Sequence, residues 1–311
     1  MSTEAVPAWA LILAGGDGVR LRSLTSQIVG DGRPKQFCAL LDKETLLERT
    51  RRRLDVVVRP DRQAVVVSRP HKAYFGYLVD ELAPGRLIVQ PDNRGTGPGI
   101  VYALLRVAEL AEDGPIVVCP SDHYVSNDRA FMRHVQRALE VVREASGRVV
   151  LLGIEATSAE VDYGWIEPAE APGAVAEGTV LEVKRFWEKP SAHLAQELLA
   201  NRCLWNSFVM VSRISTLLAL TAATAPGLIR AFRPLYTASR RGGPEATVER
   251  VYGALATTSF SHGVLVRAAG SLNVERVGDV EWSDWGIPRR VIASLKRAGH
   301  EPSWLARVTV A

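Results

Sequence analysis

The sequence predicts an α/β fold in which a mostly parallel sheet is covered on both faces by helices, and three observations carry that expectation. An apolar run, Ala10 to Ala14, stops in Gly15, Gly16 and Gly18. Short apolar runs bounded by turn residues then alternate with longer helical patterns through the first half, the rhythm of strands joined by crossover helices. The run Ile116 to Cys119 delivers Pro120-Ser121-Asp122-His123 at its carboxyl end, where ligands collect in such sheets.

Taken in order, strands are expected at Trp9 to Ala14, Gln63 to Ser68, Leu87 to Gln90, Ile116 to Cys119 and Val149 to Ile154. Each is a short, β-branched or apolar run of the kind that is buried on both faces. Helices are expected at Thr45 to Asp55, His71 to Leu82, Gly99 to Ala111 and Asp128 to Ser146. The second half is less regular. Strands are expected at Val180 to Trp187 and Leu204 to Val211, with a helix at Ser191 to Ala200 between them and more helix after Ile214. A loop at Ser239 to Pro244, a strand at Leu272 to Val277 and a last helix from near Pro288 complete the pattern. There is no internal repeat and no low-complexity segment; neither a hexapeptide β-helix pattern nor a second catalytic domain is expected.

Composition narrows the class. Hydrophobic residues make up 47% of the 311, ample for a core, yet no window reaches the eighteen or so apolar residues of a membrane span. The start, MSTEAVPAWA, lacks the basic and apolar regions of a signal peptide, so a soluble, cytoplasmic protein is expected. Cys38, Cys119 and Cys203 have no metal-type spacing and suit free buried thiols. The net charge of +4 raises the question of nucleic acid. The densest basic group, Arg49 with Arg51 to Arg53, reads as the solvated face of a helix, so neither nucleic acid nor membrane is an expected partner.

The glycine segment reads as a strand feeding a loop that wraps a phosphate. Glycine lets backbone N–H groups approach an anion, and Arg20 and Lys35 supply full positive charge. A P-loop would need Gly-Lys-Ser/Thr where Gly18 is followed by Val19-Arg20, and a dinucleotide fold would need a small residue where Leu21 stands. A dehydrogenase also lacks its ribose-binding acid, since Val67 leads to Ser68-Arg69. A glycine-rich turn without a ligand is the plain alternative for this segment taken alone.

Asp122 and Asp284 stand far apart in sequence, and each alone would read as a turn or cap residue. Brought together beside a phosphate loop they suit Mg²⁺, which takes few carboxylates and completes its octahedron with phosphate oxygens and water. Phe186-Trp187-Glu188-Lys189-Pro190 places an acid and a base at a strand end, and Trp205-Asn206-Ser207 adds an amide suited to sugar hydroxyls.

Eight segments occur in the order seen in sugar-1-phosphate nucleotidyltransferases. They are LAGGDGVRLRSLT, Pro34 to Phe37, Arg94 to Pro98, Pro120 to His123, Asp162 to Glu167, Phe186 to Pro190, Trp205 to Ser207 and Trp282 to Gly286. Over residues 9 to 290 the chain resembles that family, and within it the mannose-1-phosphate guanylyltransferases. The resemblance implies a Rossmann-like, glycosyltransferase A type fold and direct attack of a sugar 1-phosphate on the α-phosphorus of GTP. It implies a core over residues 1–260 and a C-terminal segment, 261–311, that completes the active site and is a candidate contact for a second subunit in a homodimer.

By the same resemblance Arg20 holds the leaving pyrophosphate, Lys35 lies near the reacting phosphates, and Asp122 and Asp284 hold Mg²⁺. Ala14, Gly15, Gly16, Gly18, Gln90, Arg94, Gly95, Thr96 and Asp122 would meet the nucleotide. Tyr163, Gly164, Glu167, Glu188, Lys189 and Asn206 would line the sugar-phosphate site. Cys119 is expected only as core.

Several positions depart from the family pattern. Arg-Asn-Thr-Ala-Pro-Ala becomes Arg94-Gly95-Thr96-Gly97-Pro98-Gly99, removing bulk where the base is expected, and Ser23 stands for a proline. Phe208 replaces the glycine after Asn-Ser, beside the expected sugar pocket, and two acids are lost in Phe260 to Val266. A nucleotidyltransferase using a different sugar or cyclitol 1-phosphate, or a different nucleotide, is therefore the alternative. A catalytically silent nucleotide-sugar sensor is the alternative of another class, although Arg20, Lys35, Asp122 and Asp284 are all present.

Overall fold

A computed structural model describes residues 6–170, 178–239 and 245–308. The first strand, β1 (Trp9–Leu13), leads through the glycine loop into α1 (Arg22–Val29), and α2 (Leu46–Leu54) precedes β2 (Gln63–Ser68). Two short helices, α3 (Lys72–Phe75) and α4 (Leu78–Glu81), come before β3 (Leu87–Gln90) and α5 (Thr96–Val107). Then follow β4 (Pro115–Pro120), β5 (Tyr124–Val125), α6 (Asp128–Glu144), β6 (Val150–Glu155), β7 (Gly164–Pro168) and β8 (Leu181–Glu188). After α7 (Ala192–Ala200) and β9 (Leu204–Arg213) come α8 (Ile214–Thr224), α9 (Pro226–Ser239) and α10 (Glu245–Ala254). The chain closes with α11 (Val266–Ala268), β10 (Asn273–Val277), β11 (Trp282–Ser283) and α12 (Pro288–Arg297).

The main sheet runs β3-β2-β1-β4-β9-β6-β10-β8-β7. The α/β class holds, but parallel pairing is confined to β3-β2-β1-β4 and to β6-β10. The long strand β9 runs antiparallel to both β4 and β6, and β7 and β8 are antiparallel, so the sheet is mixed. The expected boundary at 260/261 does not divide it, because β10 lies between β6 and β8.

Strand alternation splits β1 between two cores. Ala10 and Ile12 pack on one face with Val65, Val117, Phe131 and Val135, while Trp9 and Leu11 pack on the other with Ile100, Leu104 and Val118. A smaller third cluster joins Leu21, Leu24, Leu40 and Tyr124 to Trp285, Val291 and Leu295, fixing the C-terminal helix against the first helical turn.

Local signals explain the helix ends. Thr45 and Glu48 form a reciprocal capping box on α2, and Asn127 caps α6 through the N–H of Ala130. The expected helix at His71 to Leu82 is divided between α3 and α4, with Gly76 in the gap. The expected solvated arginine face is also interrupted: Arg53 is buried and donates to Asp128 at 2.6 Å, tying α2 to α6. In the expected loop at Ser239 to Pro244, Ser239 ends α9 and residues 240–244 lie outside the described residues. No described helix is long and apolar enough to cross a membrane.

Candidate functional site

The glycine loop is tied from behind. The Gln36 amide donates to the carbonyls of Ala14 (3.0 Å) and Gly16 (2.8 Å), and Ser68 Oγ donates to that of Gly15 (2.8 Å). Three successive carbonyls are thus consumed, while the N–H groups of Gly15 and Gly16 have no partner among the described residues. That is an anion-binding arrangement. Gly18 turns the chain in the left-handed region at φ 59°, where a side chain would also crowd Pro34. The loop borders a cavity of about 320 Å³ whose walls include Gln90, Asn93, Thr96, Asp122 and Phe208.

Two short strands bring the distant aspartates together. Tyr124 and Val125 of β5 pair antiparallel with Ser283 and Trp282 of β11, and Trp285 stacks on Tyr124 with ring centroids 5.0 Å apart. Asp122 and Asp284 flank this pairing. Lys35 is buried between them: its ammonium lies 3.4 Å from Asp122 Oδ2 and donates to the main-chain carbonyls of Asp284 and Trp285. Asp284 Oδ1 accepts from the Tyr163 hydroxyl, the Gly286 N–H and Arg290, and Oδ2 lies 3.8 Å from the half-exposed Arg20. Burial works against the Asp284 charge. The opposing pull of Lys35, His123, the Gly286 N–H and Arg290 wins and holds the carboxyl below its ordinary range. Burial pushes the neighbouring His123 down to about 4, against the attraction of Asp122, so its imidazole is neutral at pH 7.

The sugar-side residues converge where β7, β8 and β9 meet. Gly164 pairs opposite Glu188, and a side chain at Gly164 would meet Glu188 Oε2 at 3.0 Å and Asn206 at 3.3 Å. Burial raises the Glu188 carboxyl above its ordinary value despite Lys189 beside it. Tyr163 reaches instead toward Asp284. Glu167 does not join the group: three residues along β7 from Gly164 it falls on the other face and accepts from Lys184 at 2.7 Å. Four described non-glycine residues have positive φ; Lys189 lies at the end of β8, Phe208 within β9 and Trp285 beside Asp284, a concentration of backbone strain typical of functional sites.

The departures around Arg94 to Gly99 do not open the base region as expected. The Thr258 N–H donates to the Arg94 carbonyl at 3.0 Å, and the Gly97 N–H donates back to the Thr258 carbonyl at 2.9 Å. A side chain at Gly95 would strike that carbonyl at 2.5 Å, and one at Gly99 would meet Gln90 Oε1 at 3.2 Å. Thr96 Oγ1 accepts from the Phe260 N–H, and the Arg94 side chain pairs with Asp92. The space freed at Gly95 and Gly97 is therefore taken by the Thr258 segment, and that at Gly99 by Gln90. Phe208, expected beside the sugar, also lines the glycine-loop cavity, at φ 61°.

Three contributors escape a reading by motif. Arg290 reaches from α12 to Glu160, Asp162 and Asp284 and lies 4.6 Å over the Tyr163 ring. Asn93 bonds both Asp17 and the Gly95 N–H, and Thr258 closes the base region. Only the Pro288 helix start pointed toward the first.

Among the described residues no three His, Cys, Asp or Glu side chains group as a metal cage. Two carboxylates beside a phosphate-type loop fit Mg²⁺, whose remaining ligands come from phosphate and water, and do not fit a structural zinc. Taken together, the site can seat a polyphosphate on backbone N–H groups and cations while presenting an acid, an amide and a second cation to an acceptor.

Comparisons with known proteins agree with this geometry. The family described as "Nucleotidyl transferase" matches residues 9–288. The xanthan biosynthesis protein XanB of Xanthomonas campestris pv. campestris (strain B100) is 28% identical over 280 residues, covering 89% of this chain and 57% of that protein. A Klebsiella pneumoniae protein named mannose-1-phosphate guanylyltransferase is 26% identical with the same coverage. The chain thus spans little more than half the length of these curated relatives. A crystal structure described as mannose-1-phosphate geranyltransferase from Thermus thermophilus superposes with a TM-score of 0.77 at 30% identity, covering 95% of this chain and 80% of that one.

Proposed function

The chain belongs to the nucleotidyl transferase family, and from that premise we propose that it is a sugar-1-phosphate nucleotidyltransferase making GDP-mannose and pyrophosphate from GTP and mannose 1-phosphate. The observation that carries the reading is the convergence of Arg20, Lys35, Asp122 and Asp284 beside the open N–H groups of the glycine loop. In this reaction an oxygen of the sugar phosphate attacks the α-phosphorus. The bond from phosphorus to the bridging oxygen breaks, and pyrophosphate leaves with the electron pair. Negative charge builds on the leaving and equatorial oxygens, so the protein's task is positioning and electrostatics.

Lys35, buried and fixed, stabilises that charge near the reacting centre, while the more exposed Arg20 is placed to follow the departing pyrophosphate. Glu188 takes a sugar hydroxyl, Asn206 another, and Lys189 the acceptor phosphate. Asp122 and Asp284 would hold Mg²⁺, which neutralises phosphate oxygens when bound. A second reading, another sugar or cyclitol 1-phosphate, is favoured by Phe208, whose bulk stands in the cavity wall.

The test is pyrophosphate release from purified protein with Mg²⁺ across GTP, ATP, UTP and dTTP, each with mannose 1-phosphate or glucose 1-phosphate. Fast release only with GTP and mannose 1-phosphate is expected. A different pair ranking first would replace the substrate assignment, and nucleotide binding without turnover on a wider panel of sugar and cyclitol phosphates would replace the enzyme with a sensor.

A further inference from the structure

Gln90 ends β3 inside the glycine-loop cavity, with both ends of its side-chain amide engaged. Its Nε2 donates to Ser68 Oγ at 2.9 Å, and its Oε1 accepts from the Tyr252 hydroxyl at 3.2 Å. All three residues are buried. The orientation of an amide in such a network follows from its partners. Ser68 Oγ lies 2.8 Å from the Gly15 carbonyl, which can only accept, so the single hydroxyl proton of Ser68 is committed there. The Ser68 oxygen must then accept from Gln90, and only Nε2 can donate. A flipped amide would set two acceptors against each other.

Glycines on either side leave room for this arrangement. A side chain at Gly15 would fall 2.2 Å from Gln90 Nε2, and one at Gly99 would fall 3.2 Å from Oε1. Tyr252 is itself braced edge-on by Tyr102 and Phe232, at 5.7 and 5.9 Å between ring centroids. Burial raises its phenol, which stays protonated and available as a donor.

We infer that Ser68 and Tyr252 are positioning residues that fix the donor–acceptor order of the Gln90 amide and thereby select which base edge the cavity admits. The inference rests on the reading of this cavity as a nucleotide site. With the amide fixed, one N–H and one lone pair remain to face a base. Guanine carries an acceptor at its 6-position where adenine carries a donor. An amide free to rotate would serve either; a fixed one leaves the wrong edge with mismatched groups.

Ser68 is the dominant half, because its proton is committed, whereas a tyrosine hydroxyl can also accept. Ser68→Ala frees the amide to rotate, with Tyr252 accepting from Nε2. Tyr252→Phe leaves the Ser68 bond in place and loosens only the Oε1 end of the amide.

The experiment is equilibrium binding of the Mg²⁺ complexes of GTP, ATP, CTP and UTP to the full chain and to Ser68→Ala, Tyr252→Phe and Ser68→Thr, so that no sugar substrate need be known. The expected result is a preference between GTP and ATP that falls about tenfold in Ser68→Ala, falls less in Tyr252→Phe, and is retained in Ser68→Thr, which restores the hydroxyl. Simple loosening of the fold would weaken all nucleotides alike and leave the ratio unchanged. An unchanged ratio in Ser68→Ala, or a wild-type chain that binds all four nucleotides equally, overturns the inference. A wild-type chain that binds none of them overturns the nucleotide reading itself.

Discussion

Lys35 is the residue on which the two carboxylates depend, since it is the buried cation in contact with both aspartate segments. Replacing it with Met keeps much of the length and removes the charge. A loss of at least about 100-fold in pyrophosphate release is expected, as for other preorganised charges at a reacting centre. Asp284→Asn keeps the shape and the Gly286 contact; a comparable loss with an unchanged far-UV circular dichroism spectrum is expected. Glu188 offers a different measurement. Its folded-state pKa is raised, so between the ordinary carboxylate value and the raised one the folded protein binds more proton than the unfolded chain. Stability therefore falls as pH rises through that window and stays lower above it. Glu188→Gln should raise Tm at pH 7.5, leave it unchanged at pH 4, and slow turnover. The cysteines carry no such role: burial pushes Cys38 and Cys119 up to about 12 and Cys203 up to about 11. A thiol-disulfide reagent at pH 8 should find none of the three before denaturant is added and all three afterwards.

Among elements, the junction of β3 with α5 is tightly constrained. Gly95 has φ 85° and ψ 176°, a region open essentially to glycine, and its missing side chain makes way for the Thr258 carbonyl. Gly95→Ala should destabilise the chain by about 1–3 kcal/mol in denaturant titration. This junction also marks where a sequence reading stops. The strands of the parallel region were legible because each centres on a short apolar run between turn residues, and the Thr45 and Pro288 helix starts because a capping side chain and a first-turn proline are local signals. Neither β7, which begins with Gly164 and ends with Pro168, nor the two-residue β5 and β11 offers such a run. The phosphate loop and both aspartates were legible as motifs. The face on which Glu167 lies, and the return of Thr258 and Arg290 to the site, depend on register and crossover paths that no local pattern encodes.

At the scale of the whole molecule, the site is assembled from both ends of the chain. β1 supplies the glycine loop, β11 brings Asp284, and the cluster containing Leu21, Tyr124, Trp285 and Leu295 binds the two together. A chain ending at residue 260 would lose this cluster and also the strand between β6 and β8. Expressed alone, that fragment should be insoluble or lack a cooperative thermal transition, whereas a fragment that melts cooperatively would mean that the sheet closes without β10. Because β6 and β8 are made before β10, the order of synthesis has its own consequence. As the nascent polypeptide leaves the ribosome, two strand edges wait for a neighbour that is translated later, and open edges recruit strands from other chains. Translation speed through the segment after α10 therefore sets how long each molecule remains adhesive, and a stalled ribosome leaves behind a client for chaperones.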